Sequence, residues 1–351
     1  MFKKNPEVLK YFNPNNQRTG RQQNALTSSI VQSVGHLKDL QTIAPAFHAI
    51  AHKHCALGIQ PEDYKIVHDN FLEATAEVLG DAVTPDVAGA WSDVLMLLAG
   101  DLIGREQKLY DEAASKIGGW YGIKDFIVTN VEQECPEVKS LYLKPADGSA
   151  LPEFEAGQYV TVCNNPTEQP YCAPRHYTIS HADTLRITPK LHTGSATVPA
   201  GVMSSFLHSR QAGDLLQLRP PFGEFDRVGI EPTHAEVYVA GGIGVTTCAS
   251  MAARALKENK ETILFHFSDE NHHPLINELE SGDKKASVHR GDQKLLSKLS
   301  STLKSNGIDL KQSSFFVCGP PEMMKATLNH LVENGVDKKN IRFESFGPRD
   351  S

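Results

Sequence analysis

The chain has 351 residues, of which 40% are hydrophobic and 22% charged, with 26 glycines and a net charge of −7. That length exceeds one ordinary domain and fits two or three of about 150 residues each, in a globular rather than disordered composition. No basic block stands out, which removes most of the case for a nucleic-acid or anionic-membrane partner.

The start, Met1-Phe2-Lys3-Lys4-Asn5-Pro6, has no apolar signal-peptide core behind its lysines. The cleanest apolar run, Val94 to Gly100 between Asp93 and Asp101, is far below a membrane span, so no transmembrane segment is expected. The cysteines Cys55, Cys135, Cys163, Cys172, Cys248 and Cys318 are scattered without C-x-x-C or finger spacing. Free thiols and a cytoplasmic location follow as the expectation.

Helical periodicity marks Arg21 to Val34, Pro45 to Leu57, Glu62 to Leu79 and Asp86 to Ala114. In the third segment Tyr64, Val67, Phe71, Ala74 and Val78 recur at three- and four-residue steps, which predicts one buried face. The fourth, apolar through Val94-Leu95-Met96-Leu97-Leu98, is expected at the centre of an all-α domain over residues 1–118, closed by Gly118-Gly119. Short β-prone runs follow at Phe126 to Val131, Ser140 to Leu143, Gln158 to Val162, His176 to Ile179 and Leu215 to Leu218. They predict a small antiparallel barrel or sandwich over 119–230. From 231 to 351 strands at Val237 to Ala240, Thr262 to Phe267, Ser314 to Val317 and Ile341 to Ser345 alternate with helices. That is the rhythm of an open parallel sheet, with ligands at the strands' carboxyl ends.

The first of these strands runs into Gly241-Gly242-Ile243-Gly244-Val245-Thr246-Thr247. Gly242 and Gly244 let backbone approach a phosphate, and a helix starting near Thr246 and Thr247 offers free N–H groups. The G-x-G-x-x-T spacing is an imperfect dinucleotide fingerprint, and a purely structural turn is the alternative. At a second strand end, Cys318-Gly319 reads either as a buried thiol before a turn or as a neighbour of a nicotinamide. In the β region, Arg175-His176-Tyr177-Thr178-Ile179-Ser180 places Arg175, Tyr177 and Ile179 on one strand face and Thr178 and Ser180 on the other. An arginine for a pyrophosphate, a tyrosine for an aromatic ring and hydroxyls for polar edges suit a flavin.

With Gly157-Gln158-Tyr159 before it and Gly201-Val202-Met203-Ser204 and Pro220-Pro221-Phe222-Gly223 after it, this order resembles the ferredoxin-reductase-like flavoproteins over about residues 120–351. The resemblance implies a β-barrel binding FAD, then an α/β domain binding NAD(P). FAD contacts would fall at Tyr159, Arg175, Tyr177, Thr178, Ser180, Ser204 and the late Ser345-Phe346-Gly347-Pro348. Asp269 and Glu270 after the second α/β strand would repel a 2′-phosphate, favouring NADH over NADPH.

In the helical region, the segment Pro45 to Gly58 holds His48, His52 and His54. At about 100° per residue, Phe47, Ile50, Ala51, His54 and Gly58 share a face, with His54 in the apolar stripe and His48 and His52 towards the polar side. Taken alone, a histidine so placed is more often a satisfied core residue than a ligand.

Asn5-Pro6-Glu7-Val8-Leu9-Lys10-Tyr11-Phe12-Asn13, then Gln22, Leu26, His54, Tyr64 and Arg105-Glu106, with Ser115-Lys116-Ile117-Gly118-Gly119-Trp120 at the junction, resemble the bacterial flavohaemoglobins, the nitric oxide dioxygenase family. The resemblance runs from Met1 to Pro348 and implies a globin-like domain ahead of the two reductase domains. It implies haem b with His54 as proximal ligand, and Tyr64 and Glu106 holding that ligand's other ring nitrogen. Phe12 would pack on the haem, Gln22 and Leu26 would line its distal side, and Lys53 and Glu344 would lie between haem and flavin. The implied reaction passes electrons from NADH (or NADPH) through FAD to haem, where O2 converts nitric oxide to nitrate, in a monomer.

The resemblance begins near the end of the family's second helix. It therefore implies that the earlier helices and a distal tyrosine lie outside this sequence, and that later helices carry uncovered apolar faces. An upstream start and a degenerate globin both remain open. The rival readings are an NAD(P)H-dependent flavin reductase of ferric compounds or quinones without a working haem site, and a non-enzymatic gas or lipid binder.

Overall fold

The structure is a computed structural model and describes residues 1–13, 20–167, 169–196, 198–225, 235–268, 272–281, 283–292 and 294–346. After a 3-10 turn over Pro6–Tyr11 come helices α1 (Arg21–Gly35), α2 (Ala44–Leu57), α3 (Pro61–Leu79) and α4 (Pro85–Ser115). Proline stands in the first turn of α2, α3 and α4, where its missing N–H has no partner to lose. Gln60 and Asp63 close a reciprocal capping box on α3, and the Thr84 hydroxyl accepts the Val87 N–H on α4. These signals explain why the expected helix ends lie within a residue or so of the observed ones.

Helix α2 packs on α4, with Phe47 against Leu98 and with Ala51, Cys55 and Ala56 against Leu109 and Tyr110. The expectation of a buried face along α3 fails in its second half. No residue of α3 is fully buried, and Val78 is 80% exposed. The contacts of α3 with α4 run through Tyr64 on Glu106, His68 on Ser92 and Phe71 on Trp91, leaving the far end of α3 exposed. Helix α4 is central on one side only: Leu95, Leu98 and Ala99 are buried, whereas Met96 and Leu97 are about half exposed. These residues, with Leu26 and Val31 of α1, leave large apolar side chains exposed. By length and composition alone α4 is also apolar enough to cross a membrane. The search for an unbroken apolar run missed this because Asp93 and Asp101 interrupt it.

The barrel comprises β1 (Lys124–Cys135), β2 (Val138–Pro145), β3 (Tyr159–Val162), β4 (Arg175–Thr178), β5 (Arg186–Ile187), helix α5 (Val202–His208) and β6 (Leu215–Phe222). The antiparallel order is β4-β3-β6-β1-β2-β5, and a bridge between Ile179 and Ile187 joins its two edges, so the sheet closes. Phe126, Val128, Leu141, Val160, Leu216 and Leu218 fill the interior, and α5 plugs one end with Met203 and Leu207.

The last region alternates β7 (Ala235–Gly241), α6 (Val245–Lys257), β8 (Glu261–Phe267), α7 (Ile276–Glu280), β9 (Ser287–Gly291), α8 (Leu295–Ser305), β10 (Ser313–Cys318), α9 (Pro321–Glu333) and β11 (Ile341–Glu344). All pairings are parallel, in the order β11-β10-β7-β8-β9. The central strands are buried along their length, as a sheet covered on both faces requires.

Barrel and sheet are joined by a buried arginine. Arg186 is fully buried, pairs through both terminal nitrogens with Glu278 of α7, and donates further to Ser180 and the Tyr142 hydroxyl. Lys257 and Asp183 make a second, exposed pair across the same boundary. Glu278→Ala is expected to lower the denaturation midpoint by the equivalent of about 1–3 kcal/mol, because it leaves a buried guanidinium short of acceptors. Asp183→Ala should have a much smaller effect. Equal shifts would show that Arg186 does not need its carboxylate.

Candidate active site

His54 lies on the α4-facing side of α2. Its Nδ1 donates to Glu106 Oε1 at 2.7 Å, and the Tyr64 hydroxyl, 2.9 Å from the same nitrogen, donates its own proton to Glu106 Oε1. Glu106 is 2% exposed. Burial, reinforced by the Glu106 charge, pushes the Tyr64 hydroxyl far above its ordinary value, so Tyr64 stays a donor. With Nδ1 committed, the lone pair left on His54 is that of Nε2, the atom an axial metal ligand uses. The donor set therefore fits haem iron.

Gln22 and Leu26 stand one turn apart on α1, Gln22 half-buried and Leu26 exposed, and Phe12 packs edge-on against Phe2 at 4.9 Å. His48 and His52 approach each other, Nε2 to Nε2, at 3.2 Å. No group of three metal-ligating side chains assembles among the described residues. The expectation that His52 lies on the polar side is corrected. It is buried, its Nδ1 accepts the Gly223 N–H at 3.1 Å, and burial pushes its pKa down to about 4. Periodicity ranked that side polar because the sequence did not reveal that the barrel covers it.

The next residue, Lys53, lines a small pocket with Ala49, Tyr159, Glu224 and Glu344 at the boundary between α2 and the barrel. Lys53 and Glu344, which the resemblance assigns to the space between haem and flavin, are thus brought beside Tyr159, which it assigns to FAD. Arg175 spends its terminal nitrogens on the Ala173 and Pro174 carbonyls and on Asn13 Oδ1. Tyr177 is half-buried. Thr178 meets Thr247 of α6, hydroxyl to hydroxyl, at 3.1 Å, and Ser180 meets Thr188 at 2.7 Å. The Ser204 hydroxyl donates to the Gly201 carbonyl and accepts the His192 N–H. Of these, the Thr178–Thr247 pair spans barrel and sheet.

At the sheet's carboxyl edge the two glycine turns touch. A Cβ on Gly244 would lie 2.3 Å from the Cys318 carbonyl oxygen, so that position needs glycine for close packing. Gly242 differs, with φ +52° and nothing within 4 Å of an added Cβ, an open left-handed turn suited to backbone approach by a ligand. Thr246 and Thr247 follow in the first turn of α6. The Cys318 thiol is fully buried, 3.9 Å from the Thr247 hydroxyl, and burial raises its pKa well above the usual range. The Cys318 thiol is buried, and Gly319 follows it at the sheet's carboxyl edge. Ser345 and Phe346 follow β11, with Phe346 exposed. Gly347, Pro348, Asp269 and Glu270 lie outside the described residues.

Sequence reasoning missed His266, fully buried at the end of β8. Its Nε2–H donates to the Gly242 carbonyl at 2.9 Å, and its Nδ1 lies 2.9 Å from Nδ1 of His273. It also missed Arg219, whose place in the outward register of β6 was the available signal: Leu216 and Leu218 before it alternate into the barrel core.

An all-α haem-protein fold joined to a closed β-barrel and an open nucleotide-type sheet defines a globin fused to a ferredoxin-reductase-like flavoprotein. Residues 1–102 match the Globin family. Flavohemoprotein A of Dictyostelium discoideum is 35% identical over 368 residues, covering 99% of this chain and 91% of that protein. A flavohemoglobin from Malassezia yamatoensis, solved with bound FAD and haem, aligns with a TM-score of 0.82 at 28% identity, covering 99% of this chain and 91% of that one. The FAD/NAD-binding domain of a Vibrio cholerae nitric oxide dioxygenase aligns with a TM-score of 0.52 at 27% identity, covering 64% of this chain and 99% of that domain. The chain belongs to the flavohemoprotein family.

Burial holds His266 neutral down to about pH 4, whereas an unfolded histidine takes its proton near 6.5. Stability from this group is therefore intact above 6.5 and is lost as pH falls towards 4. In thermal melts across that window, His266→Phe is expected to show a shallower fall than the parent chain. An unchanged slope would mean that His266 does not contribute.

Proposed function

We propose that the chain is an NAD(P)H-dependent nitric oxide dioxygenase. The observation that carries this reading is the Nδ1 of His54, held by a buried carboxylate and a tyrosine hydroxyl on one side of a chain whose other half has the fold of a flavin reductase. A carboxylate accepting the Nδ1 proton makes the imidazole more electron-donating, which favours oxygen activation over storage. The bound groups supply the redox chemistry: haem b an iron centre for O2 and nitric oxide, FAD a hydride acceptor that releases single electrons, and the nicotinamide the hydride.

The chain's own residues hold and tune. His54 would carry the iron through Nε2, with Tyr64 and Glu106 fixing its ring, while Phe12, Gln22 and Leu26 would line the haem pocket. Tyr159, Arg175, Tyr177, Thr178, Ser180 and Ser204, with the Ser345–Pro348 segment, would hold FAD. Gly242, Gly244, Thr246, Thr247, Cys318 and Gly319 would form the nicotinamide nucleotide's edge, and Lys53 and Glu344 would set the charge between haem and flavin. The reading carries the boundaries 1–118, 119–230 and 231–351, a preference for NADH, and a cytoplasmic monomer.

Purified protein should show a haem Soret band with flavin absorption and should consume nitric oxide when given NADH and O2. His54→Ala should abolish that consumption while sparing NADH-dependent reduction of a dye. Flavin absorption without a Soret band, with reduction of ferric compounds or quinones, would overturn the proposal in favour of a plain reductase.

A further inference from the structure

The run Arg219-Pro220-Pro221-Phe222-Gly223 ends β6, and the roles assigned above leave it unexplained. It is the part of the barrel that meets α2. The Phe222 ring is buried among Ala51, Cys55, Ala56, Leu109 and Tyr110. The Arg219 guanidinium lies directly over Gly58, where an added Cβ would come within 2.1 Å of it, and its Nε is buried without a hydrogen-bond partner among the described residues. The Gly223 N–H donates to His52 Nδ1 at 3.1 Å. Gly223 has φ +125°, and a Cβ there would lie 3.0 Å from the Tyr159 ring, so this turn accepts only glycine without a shift.

These contacts differ in what they can fix. Apolar contact around Phe222 is non-directional, and the Arg219 Nε meets no acceptor among the described residues. The bond from Gly223 to His52 is directional, and the Gly223 N–H is buried and needs an acceptor. Because Nδ1 accepts, the neutral His52 ring carries its proton on Nε2 and donates to His48 Nε2, which holds the ring from its other end. His52 and His54 sit two residues apart on one helix, so a rotation of α2 that broke the Gly223 bond would also swing His54.

We infer that His52 is a positioning residue that pins the helix carrying His54 to the barrel rim carrying Tyr159. The inference rests on the functional reading of His54 and Tyr159 given above, and it assigns His52 no contact with substrate or cofactor. Its acceptor atom is what matters, so asparagine, whose Oδ1 falls near the place of Nδ1, should replace it, and leucine should not.

The test uses the full-length holoprotein with His52→Leu and His52→Asn. Amide hydrogen exchange at Gly223 should accelerate on the order of tenfold in the leucine variant and return towards the parent rate with asparagine. Anaerobic rapid mixing with NADH should show haem reduction slowed in the leucine variant and recovered with asparagine, with flavin reduction unchanged in both. Parent-like exchange in the leucine variant would overturn the inference, as would an asparagine variant as impaired as the leucine one. If the parent chain reduces its flavin but never its haem, the dioxygenase reading fails, and the exchange measurement still decides whether His52 docks the barrel.

Discussion

Glu106 is a carboxylate almost sealed from water, and such a group is tolerable only where donors replace its hydration. Two donors reach the same oxygen, the His54 ring nitrogen from α2 and the Tyr64 hydroxyl from α3, while Glu106 itself comes from α4. One oxygen atom therefore sets the register of three helices. Neighbouring bonds reinforce it: the Cys55 thiol donates to the Glu106 carbonyl, and the Tyr110 hydroxyl donates to the Ile59 carbonyl just beyond α2. The ring of His54 cannot turn without leaving a buried charge short of a proton, so its free nitrogen has a fixed direction before any metal is considered.

The same helix faces two ways. Towards α4 it presents His54, and towards the barrel it presents His52 and Gly58. The segment after α4 strengthens the second contact: the Tyr121 hydroxyl donates to Gln60, and the Trp120 indole donates to the Leu218 carbonyl of β6. Globin-like and barrel regions thus meet through fully packed side chains and directional bonds around Tyr110 and Phe222, whose rings lie 6.1 Å apart.

Much of this was legible in the sequence, because the elements are marked by local chemistry. Proline and glycine punctuate α2, α3 and α4, and the alternation in β6 and the glycine turn after β7 point to strands directly. The His54, Tyr64 and Glu106 grouping was legible only through family resemblance, since residues 10 and 52 positions apart have no spacing rule. What stayed hidden were relations between distant elements. Periodicity identified an apolar stripe on α3 but not that Val78 stays exposed, and it marked His52 as peripheral because the barrel that buries it lies 171 residues further on. Strand β9, Ser287-Val288-His289-Arg290-Gly291, is a half-exposed sheet edge and carries too little apolar content to stand out. Arg186 and Glu278, 92 residues apart, look like ordinary surface charges until the two regions are placed together.

The closure of the barrel has a mechanical consequence. Its seam runs through the bridge between Ile179 and Ile187 and the neighbouring bond from the Ser180 N–H to the Arg186 carbonyl, and Ile187 belongs to a two-residue strand whose other member is Arg186. The residue that ties the barrel to the nucleotide-type sheet therefore adjoins the residue that keeps the barrel shut. Pulling the sheet away would load the seam directly, and opening the seam would release the sheet. The last two regions therefore share one clasp, while the helical region meets the rim through Tyr110, Phe222 and the His52–Gly223 bond. For protein engineering this sets a unit: barrel and sheet must travel together, and any exchanged helical part must keep the His52–Gly223 contact.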